Sequence, residues 1–345
     1  MRILSVGWFR KVSSTSLHRH KSLEKNADYI DKVEAGSATI SLWYRLAYHL
    51  FQKGIPTRLP DQTYVNKSIK ELVSENIYDV VWIDKGVTIN RDTLLYIKDK
   101  LPSAKIVSFS PDNMSLRHNQ SQNYLECIPY YDFTFTTKSY AVKDLHNLGA
   151  RNVFFIHKTY GEDFHYPREL SIEEKERLGD DVGFVGVWEK ERCESILFLA
   201  NKGVKVKVFG DGRWNDYKDE SPNLTILPGV FSEDYPKALQ AFKISLCFLR
   251  KMNFDQQTAR TMEIPACGGF MLAERTTEHL ELFEEGKEAA YFSSNQELLD
   301  LCKYYLINEE VRIKIAFAGL ERCKKSGYSN EKTVGKMLNI IFNNG

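Results

Sequence analysis

The chain reads as an α/β protein built from two doubly wound parallel-sheet domains, and three observations carry that expectation. Short apolar segments alternate with helical ones along most of the sequence, the pattern that a parallel sheet covered by crossover helices requires. With 345 residues, 43% of them hydrophobic, the chain can fill two cores at about 100–200 residues per domain. A densely charged segment, YPRELSIEEKERLGDD at 166–181, splits the alternation into two runs and reads as a linker. Residues 1–166 are expected to form the first domain and 181–329 the second.

In the first run, residues 3–6 form a strand ending at Gly7, and the polar, basic stretch 10–25 follows as a loop. Arg10, Lys11, His18 and His20 there either bind a ligand or are simply solvated. Residues 37–53 read as a helix with Trp43, Leu46, Ala47, Leu50 and Phe51 on one face, stopped by Gly54. Next come a strand near 56–59, a helix at 67–75, a strand at 79–83, a helix at 91–100 and a strand at 105–109. A helix at 122–128, a strand at 132–135, a helix at 140–148 and a strand at 152–156 complete this run. The second run holds strands at 182–186, 204–209, 224–227, 244–248, 270–273 and 289–292, with a helix at 190–201 closed by Gly203. Helices at 295–306, 309–325 and 331–342 fill the C-terminal third.

The most informative stretch is DQQTARTMEIPACGG, Asp255 to Gly269, which runs into the apolar FMLA of 270–273. A polar stretch that turns amphipathic, stops at paired glycines and enters an apolar segment predicts a helix, its C-cap and a buried strand. Asp255, Thr258, Arg260 and Glu263 then stand around the first turns of a helix at a sheet edge. A helix start offers unpaired N–H groups and a positive dipole end, so an added arginine makes it an anion site. Two acids eight residues apart add acceptors for vicinal hydroxyls, because one carboxylate accepts two O–H bonds. Phosphate together with diols points to a nucleotide sugar.

This stretch resembles the C-terminal domain signature of the GT-B glycosyltransferases (glycosyl transferases group 1), and in particular their CgeB-like, spore maturation protein branch. There a Glu-Ile/Val-Pro-Ala-Cys-Gly run, here 263–268, precedes an apolar strand and a turn such as Glu274-Arg275-Thr276-Thr277-Glu278, and 282–288 continues the likeness. Retaining GT-B enzymes carry Glu-x7-Glu; this chain has Asp255 at the first position and Glu263 at the second. The resemblance implies a GT-B fold, two Rossmann-like domains facing a central cleft, with the donor in the second and the acceptor facing the first. It also implies a C-terminal helix, 330–345, that packs back on the first domain. The activity implied is transfer of a sugar from a UDP- or GDP-linked donor to a hydroxyl of a glycan, lipid-linked or protein acceptor, in surface glycan or polysaccharide synthesis. An epimerase or hydrolase of nucleotide sugars on the same fold is the alternative, as is a non-catalytic nucleotide-sugar binding protein.

Further donor contacts are expected at three strand ends. Gly186-Val187-Trp188-Glu189-Lys190-Glu191-Arg192 joins a buried strand to a helix start, with Gly186 admitting close backbone approach and Arg192 adding charge for a pyrophosphate. Gly186, Trp188 and Arg192 are therefore donor candidates, and the family's Phe-Val-Gly strand end and arginine-bearing helix start are similar. Gly210-Asp211-Gly212 is either a plain tight turn or a backbone contact to the nucleotide. Leu227-Pro228-Gly229-Val230-Phe231 is either a simple loop or the place where the base is read, through Gly229. The catalytic candidates are Asp255 and Asp112. Ser110-Pro111-Asp112-Asn113 follows a strand on its carboxyl-end side, so Asp112 either caps a turn or serves an acceptor hydroxyl as general base. His157-Lys158, at the end of another strand, adds Lys158 as a phosphate or acceptor contact.

Composition narrows the remaining classes. Lys+Arg 47 against Asp+Glu 46 leaves +1, which gives no electrostatic case for nucleic acid or an anionic membrane. The six cysteines are scattered without a C-x-x-C pair and read as reduced core residues of a cytoplasmic protein. No apolar run approaches the roughly 20 residues of a membrane span, which leaves only peripheral membrane contact. The eight histidines lack ligand spacing and no isolated Asp-x-Asp occurs, so no cofactor is expected and phosphate charge falls to arginine, lysine and helix dipoles.

Overall fold

The structure is a computed structural model that describes residues 1–12, 14–36 and 40–343. The chain divides into two compact units, Met1–His157 with Asn330–Gly345, and Lys158–Ser329.

The first unit contains, in order, β1 (Arg2–Gly7), α1 (Thr15–Glu24), β2 (Tyr29–Glu34), α2 (Leu42–Gln52), α3 (Val65–Glu75), β3 (Val80–Asp84) and α4 (Arg91–Lys100). It continues with β4 (Lys105–Ser110), α5 (Gln122–Cys127), β5 (Phe133–Thr136), α6 (Val142–Asn147) and β6 (Val153–Phe155). All neighbours in its six-stranded sheet, β2-β1-β3-β4-β5-β6, are parallel. The inner strands are buried on both faces, which is why VVWID reads as a near-continuous apolar run. Trp82 of β3 packs between Phe109 and Phe135, with ring centroids 5.9 and 6.1 Å away.

Several sequence expectations need correction here. The basic stretch 10–25 is not a loop throughout: most of it is α1, whose buried face is polar, with His18, Arg19 and His20 each under 7% exposed. The second strand is Tyr29–Glu34 rather than 56–59. As an edge strand β2 buries only Val33 and shows no apolar run. Pro56 and Pro60 flank an extended stretch whose Leu59 N–H donates to the Asn123 side chain at 2.8 Å instead of to a sheet. The helix expected at 37–53 is α2; residues 37–39 lie outside the described residues. Its inward face is Ala47 and Phe51, whereas Trp43 and Leu46 are exposed.

The second unit contains α7 (Ile172–Leu178), β7 (Val182–Val185), α8 (Lys190–Asn201), β8 (Val206–Phe209), β9 (Leu224–Leu227), α9 (Asp234–Ala241) and β10 (Ile244–Cys247). After these come α10 (Ala259–Ala266), β11 (Met271–Glu274), α11 (Thr277–Leu282), β12 (Ala290–Phe292), α12 (Asn295–Ile307) and α13 (Glu309–Lys325). Its sheet is also six-stranded and parallel, in the order β12-β11-β10-β7-β8-β9. The charged segment 166–181 belongs to this unit rather than linking two. Ser171 and Glu174 form a capping box on α7, and Lys237–Glu174 and Arg177–Asp234 pairs tie that helix to α9. The last helix, α14 (Asn330–Asn343), returns to the first unit, where Val334, Met337, Leu338 and Ile341 join the core around Ile3, Trp82 and Phe135.

Candidate functional site

In the second sheet the strand order reverses between β7 and β10, and in open α/β sheets ligands bind outside the carboxyl ends at such a point. The two loops that leave these strands, 186–189 and 248–258, carry Gly186, Trp188, Asp255 and Thr258 and lead into the helices of Arg192, Arg260 and Glu263.

Gly186 ends β7 in a crowded place. A Cβ there would lie 2.9 Å from Phe184 and 3.2 Å from the Arg260 guanidinium, so only glycine lets α10's arginine approach this backbone. The indole of Trp214 donates to the Gly186 carbonyl at 2.9 Å. Arg192, on the first turn of α8, is 3% exposed and donates to the carbonyls of Val187 (3.2 Å) and Leu249 (3.0 Å), tying the β7 loop to the end of β10. Arg192 and Arg260 both lie against the Phe184 ring, at 5.8 and 5.3 Å from its centroid. In each of them Nε is buried and has no hydrogen-bond partner. Burial, and after it the charge of Arg260, lower the Arg192 pKa to about 10. Trp188 stacks on Tyr217 at 6.2 Å, with Arg213 4.4 Å from its ring, so its face is covered by protein.

Gly210 and Asp211 follow β8, and Gly229 follows β9. The Gly229 N–H donates to Asp211 Oδ1 at 3.1 Å, so this aspartate holds two adjacent loops together. Ser232 and Phe254, in the loops after β9 and β10, adopt left-handed backbone with φ of +49° and +53°. Such conformations cost residues with side chains energy and collect at ligand sites. Asp255 is half-buried, and its N–H donates to the Arg250 carbonyl at 3.2 Å.

Helix α10 begins at Thr258, whose N–H donates to Thr261 Oγ1 at 3.0 Å. Thr261 Oγ1 stands 2.9 Å from His279 Nε2, and His279 Nδ1 stands 2.6 Å from the Glu274 carbonyl. A carbonyl only accepts, so His279 carries its proton on Nδ1 and takes the Thr261 hydroxyl on Nε2. His279 is fully buried, and that burial lowers its pKa to about 4. This chain of bonds fixes the start of α10 against β11 and takes up the Thr258 N–H, one of the expected ligand groups. The helix ends at Ala266; Gly268 has a left-handed φ of +78° and a Cβ on Gly269 would meet the Leu239 carbonyl at 2.5 Å, which together account for the glycine pair.

Glu263 is 5% exposed and engaged within the protein. The Tyr235 hydroxyl donates to its Oε2 at 2.5 Å, and His165 Nε2 lies 3.5 Å from Oε1. His165 Nδ1 accepts the Gly161 N–H at 3.0 Å, so its proton sits on Nε2 and faces Glu263. Burial lowers the His165 pKa to about 3 and raises that of Tyr235. Neither partner adjoins Glu263 in sequence: Tyr235 stands on α9, 28 residues away, and His165 in an irregular segment. The backbone of Lys158 joins the same unit, its N–H donating to the Gln257 side chain at 2.8 Å.

In the first unit Asp112 follows β4, takes its turn from Ser110 Oγ (3.2 Å to the Asp112 N–H) and pairs with Lys85 at 2.5 Å. Behind them Arg19 and Asp84 form a buried pair that Trp82 Nε1 joins at 3.2 Å. Asp84 and Lys85 close β3, and Lys85 has a left-handed φ of +59°. His157 packs edge-on against Phe155 at 4.8 Å. Among the described residues no three His, Cys, Asp or Glu side chains are grouped to hold a metal ion, and no helix is long and apolar enough to cross a membrane.

The Glycosyl transferase-like family matches residues 192–339. No curated protein matches the chain by sequence. Among solved structures, the fold is similar to Anabaena Alr3699/HepE in complex with UDP and glucose, at 13% identity and a TM-score of 0.67 over 99% of this chain and 100% of that one. It is similar to sucrose-phosphate synthase from Thermosynechococcus elongatus at 10% identity and a TM-score of 0.70, over 100% of both chains. A glycosyltransferase from Rickettsia africae aligns at 13% identity and a TM-score of 0.65, over 98% of this chain and 97% of that one. Residues 192–339 thus resemble the Glycosyl transferase-like family, and the two parallel sheets have the GT-B fold.

Proposed function

We propose that the protein transfers a sugar from a nucleoside diphosphate donor, UDP-linked by preference, to an acceptor hydroxyl, and that it stands in the CgeB-like branch of these enzymes. One observation carries the donor assignment: two arginines lie against one ring at the reversal of strand order, each with a buried Nε that lacks a partner. Buried donors without acceptors are rare in folded proteins, and a diphosphate supplies the missing acceptors and the opposite charge. Arg260 is the direct phosphate ligand in this reading. Arg192 holds the two loops and adds its field. Gly186 admits the donor backbone-close, Trp188 backs the β7 loop, and Gly210, Asp211 and Gly229 shape the base side. Thr258 and Asp255 face the donor from the start of α10, and Glu263 takes the ribose diol with Tyr235 and His165 holding its carboxylate. Asp112 serves the acceptor hydroxyl, with Lys85 fixing its position.

HepE, a protein of this fold, was solved with UDP and with UDP-glucose, which supports uridine over guanosine. The test is calorimetric titration of the full chain with UDP, GDP, ADP and dTDP, followed by turnover of the corresponding UDP-sugars. UDP binding with sugar appearing on an added acceptor is the expected result. Free sugar alone, or an isomerised nucleotide sugar, would assign a hydrolase or an epimerase instead, and binding without turnover a non-catalytic receptor.

A further inference from the structure

The carboxyl ends of β1, β3 and β4 border a cavity of about 190 Å³, placed where the strand order of the first sheet reverses between β1 and β3. One side of it is aromatic. Trp8 comes from the loop after β1, and Tyr44, Tyr48 and Phe51 come from α2, with the two tyrosine rings stacked 5.8 Å apart at 14°. The other side carries charge, from Arg19, Asp84, Lys85 and Asp112. These charges cancel in pairs: Arg19 with Asp84, and Lys85 with Asp112. Arg19 is held further by the Phe109 ring, 4.1 Å away, and Asp84 by the Trp82 indole.

We infer that this cavity takes one neutral pyranose, the terminal unit of a saccharide acceptor; the inference rests on the glycosyltransferase reading above and names its acceptor class. A pyranose presents polarised C–H bonds on its faces and hydroxyls around its rim. Aromatic rings attract the first through their negative faces, and carboxylates and cations bind the second. The volume is enough to admit one sugar ring. An acyl chain would leave the charged wall facing hydrocarbon with no hydrogen bonds, a costly arrangement. An anionic sugar or lipid head group finds both cations already neutralised. Lys85 keeps a left-handed φ of +59° at the wall of this cavity, the kind of local strain that ligand sites retain.

The experiment is saturation-transfer NMR on the full chain, with and without UDP, using the methyl glycosides of glucose, galactose, mannose, N-acetylglucosamine and glucuronic acid. At least one neutral glycoside should receive saturation from aromatic protons, and the glucuronide should not. Tyr48→Ala and Trp8→Ala should each weaken that glycoside at least tenfold, and Tyr48→Phe should not, while UDP affinity by calorimetry stays the same in all three. Trp8 is 57% exposed, so its removal spares the core and keeps the test open if Tyr48→Ala misfolds. Binding of UDP without binding of any neutral glycoside overturns the inference, as does glycoside binding that survives both alanine variants. Failure of the wild type to bind UDP strikes the donor assignment instead, because the glycoside arm reports on the cavity alone.

Discussion

Replacing Arg260 with alanine separates a ligand group from a structural one, because the two roles move stability and affinity in different directions. Without a ligand, Arg192 and Arg260 share the Phe184 ring, and the Arg192 pKa stands at about 10 rather than 12.5 through burial and then through the Arg260 charge. At 1.36 kcal/mol per unit, the charged form of Arg192 is disfavoured by about 3 kcal/mol, of which the Arg260 share disappears in the variant. The unliganded Arg260→Ala protein should therefore unfold no earlier than wild type, within about 0.5 kcal/mol. UDP, in contrast, should lose a charge-assisted bond worth about 1.5–3 kcal/mol, which is a roughly 10- to 150-fold rise in Kd. The same numbers fix the thermal shift. UDP at 100 times the wild-type Kd stabilises wild type by about 2.7 kcal/mol, and the variant at that concentration by only about 0.3–1.4 kcal/mol. Calorimetry and differential scanning fluorimetry read the two quantities independently. An unchanged Kd together with earlier unfolding of the unliganded variant would refute the reasoning and make Arg260 a packing partner of Phe184.

Four further outcomes are expected. Glu263→Gln should weaken UDP by about 1–3 kcal/mol and erase the preference for UDP over dUDP, since a neutral amide cannot accept both ribose hydroxyls; calorimetry with both nucleotides checks it, and a retained preference moves the ribose elsewhere. Asp112→Asn should lower transfer by about 10²–10⁴-fold with UDP affinity intact, the span typical of a lost general base; full activity in a coupled UDP-release assay would exclude that role. Transfer should persist in EDTA, and metal-reversible loss would show that the donor phosphates need a cation. Finally, His279 is neutral when folded, with a pKa near 4 against 6.5 unfolded, so its contribution is complete above pH 6.5 and is lost as pH falls, because the unfolded chain then takes up a proton that the folded one refuses. It should cost about 2 kcal/mol between pH 7 and pH 5. His279→Gln should flatten the urea midpoint against pH over that range, and an unchanged slope would assign the acid sensitivity to other groups.

The alternation of strands and helices was legible because the inner strands of both sheets are buried on both faces, which leaves largely apolar runs such as VVWID and ISLC. The helix around Arg260 was legible for a similar reason: Pro265 and the Gly268–Gly269 pair mark its end through backbone geometry, which is local. Other elements left no such mark. Helix α1 buries histidines and an arginine, and β2 is a half-exposed edge, so neither follows an apolar period. Arg19 is tolerable inside only because Asp84, 65 residues away, meets it there. Glu263 shows the same limit: its place on a helix was apparent from the sequence, while its partners, Tyr235 and His165, come from other segments of the chain. Backbone preference and burial are properties of neighbours in sequence. The pairing of buried charges, the two arginines against Phe184 and the aromatic wall of the β1/β3 cavity arise only once the sheets have brought distant segments together.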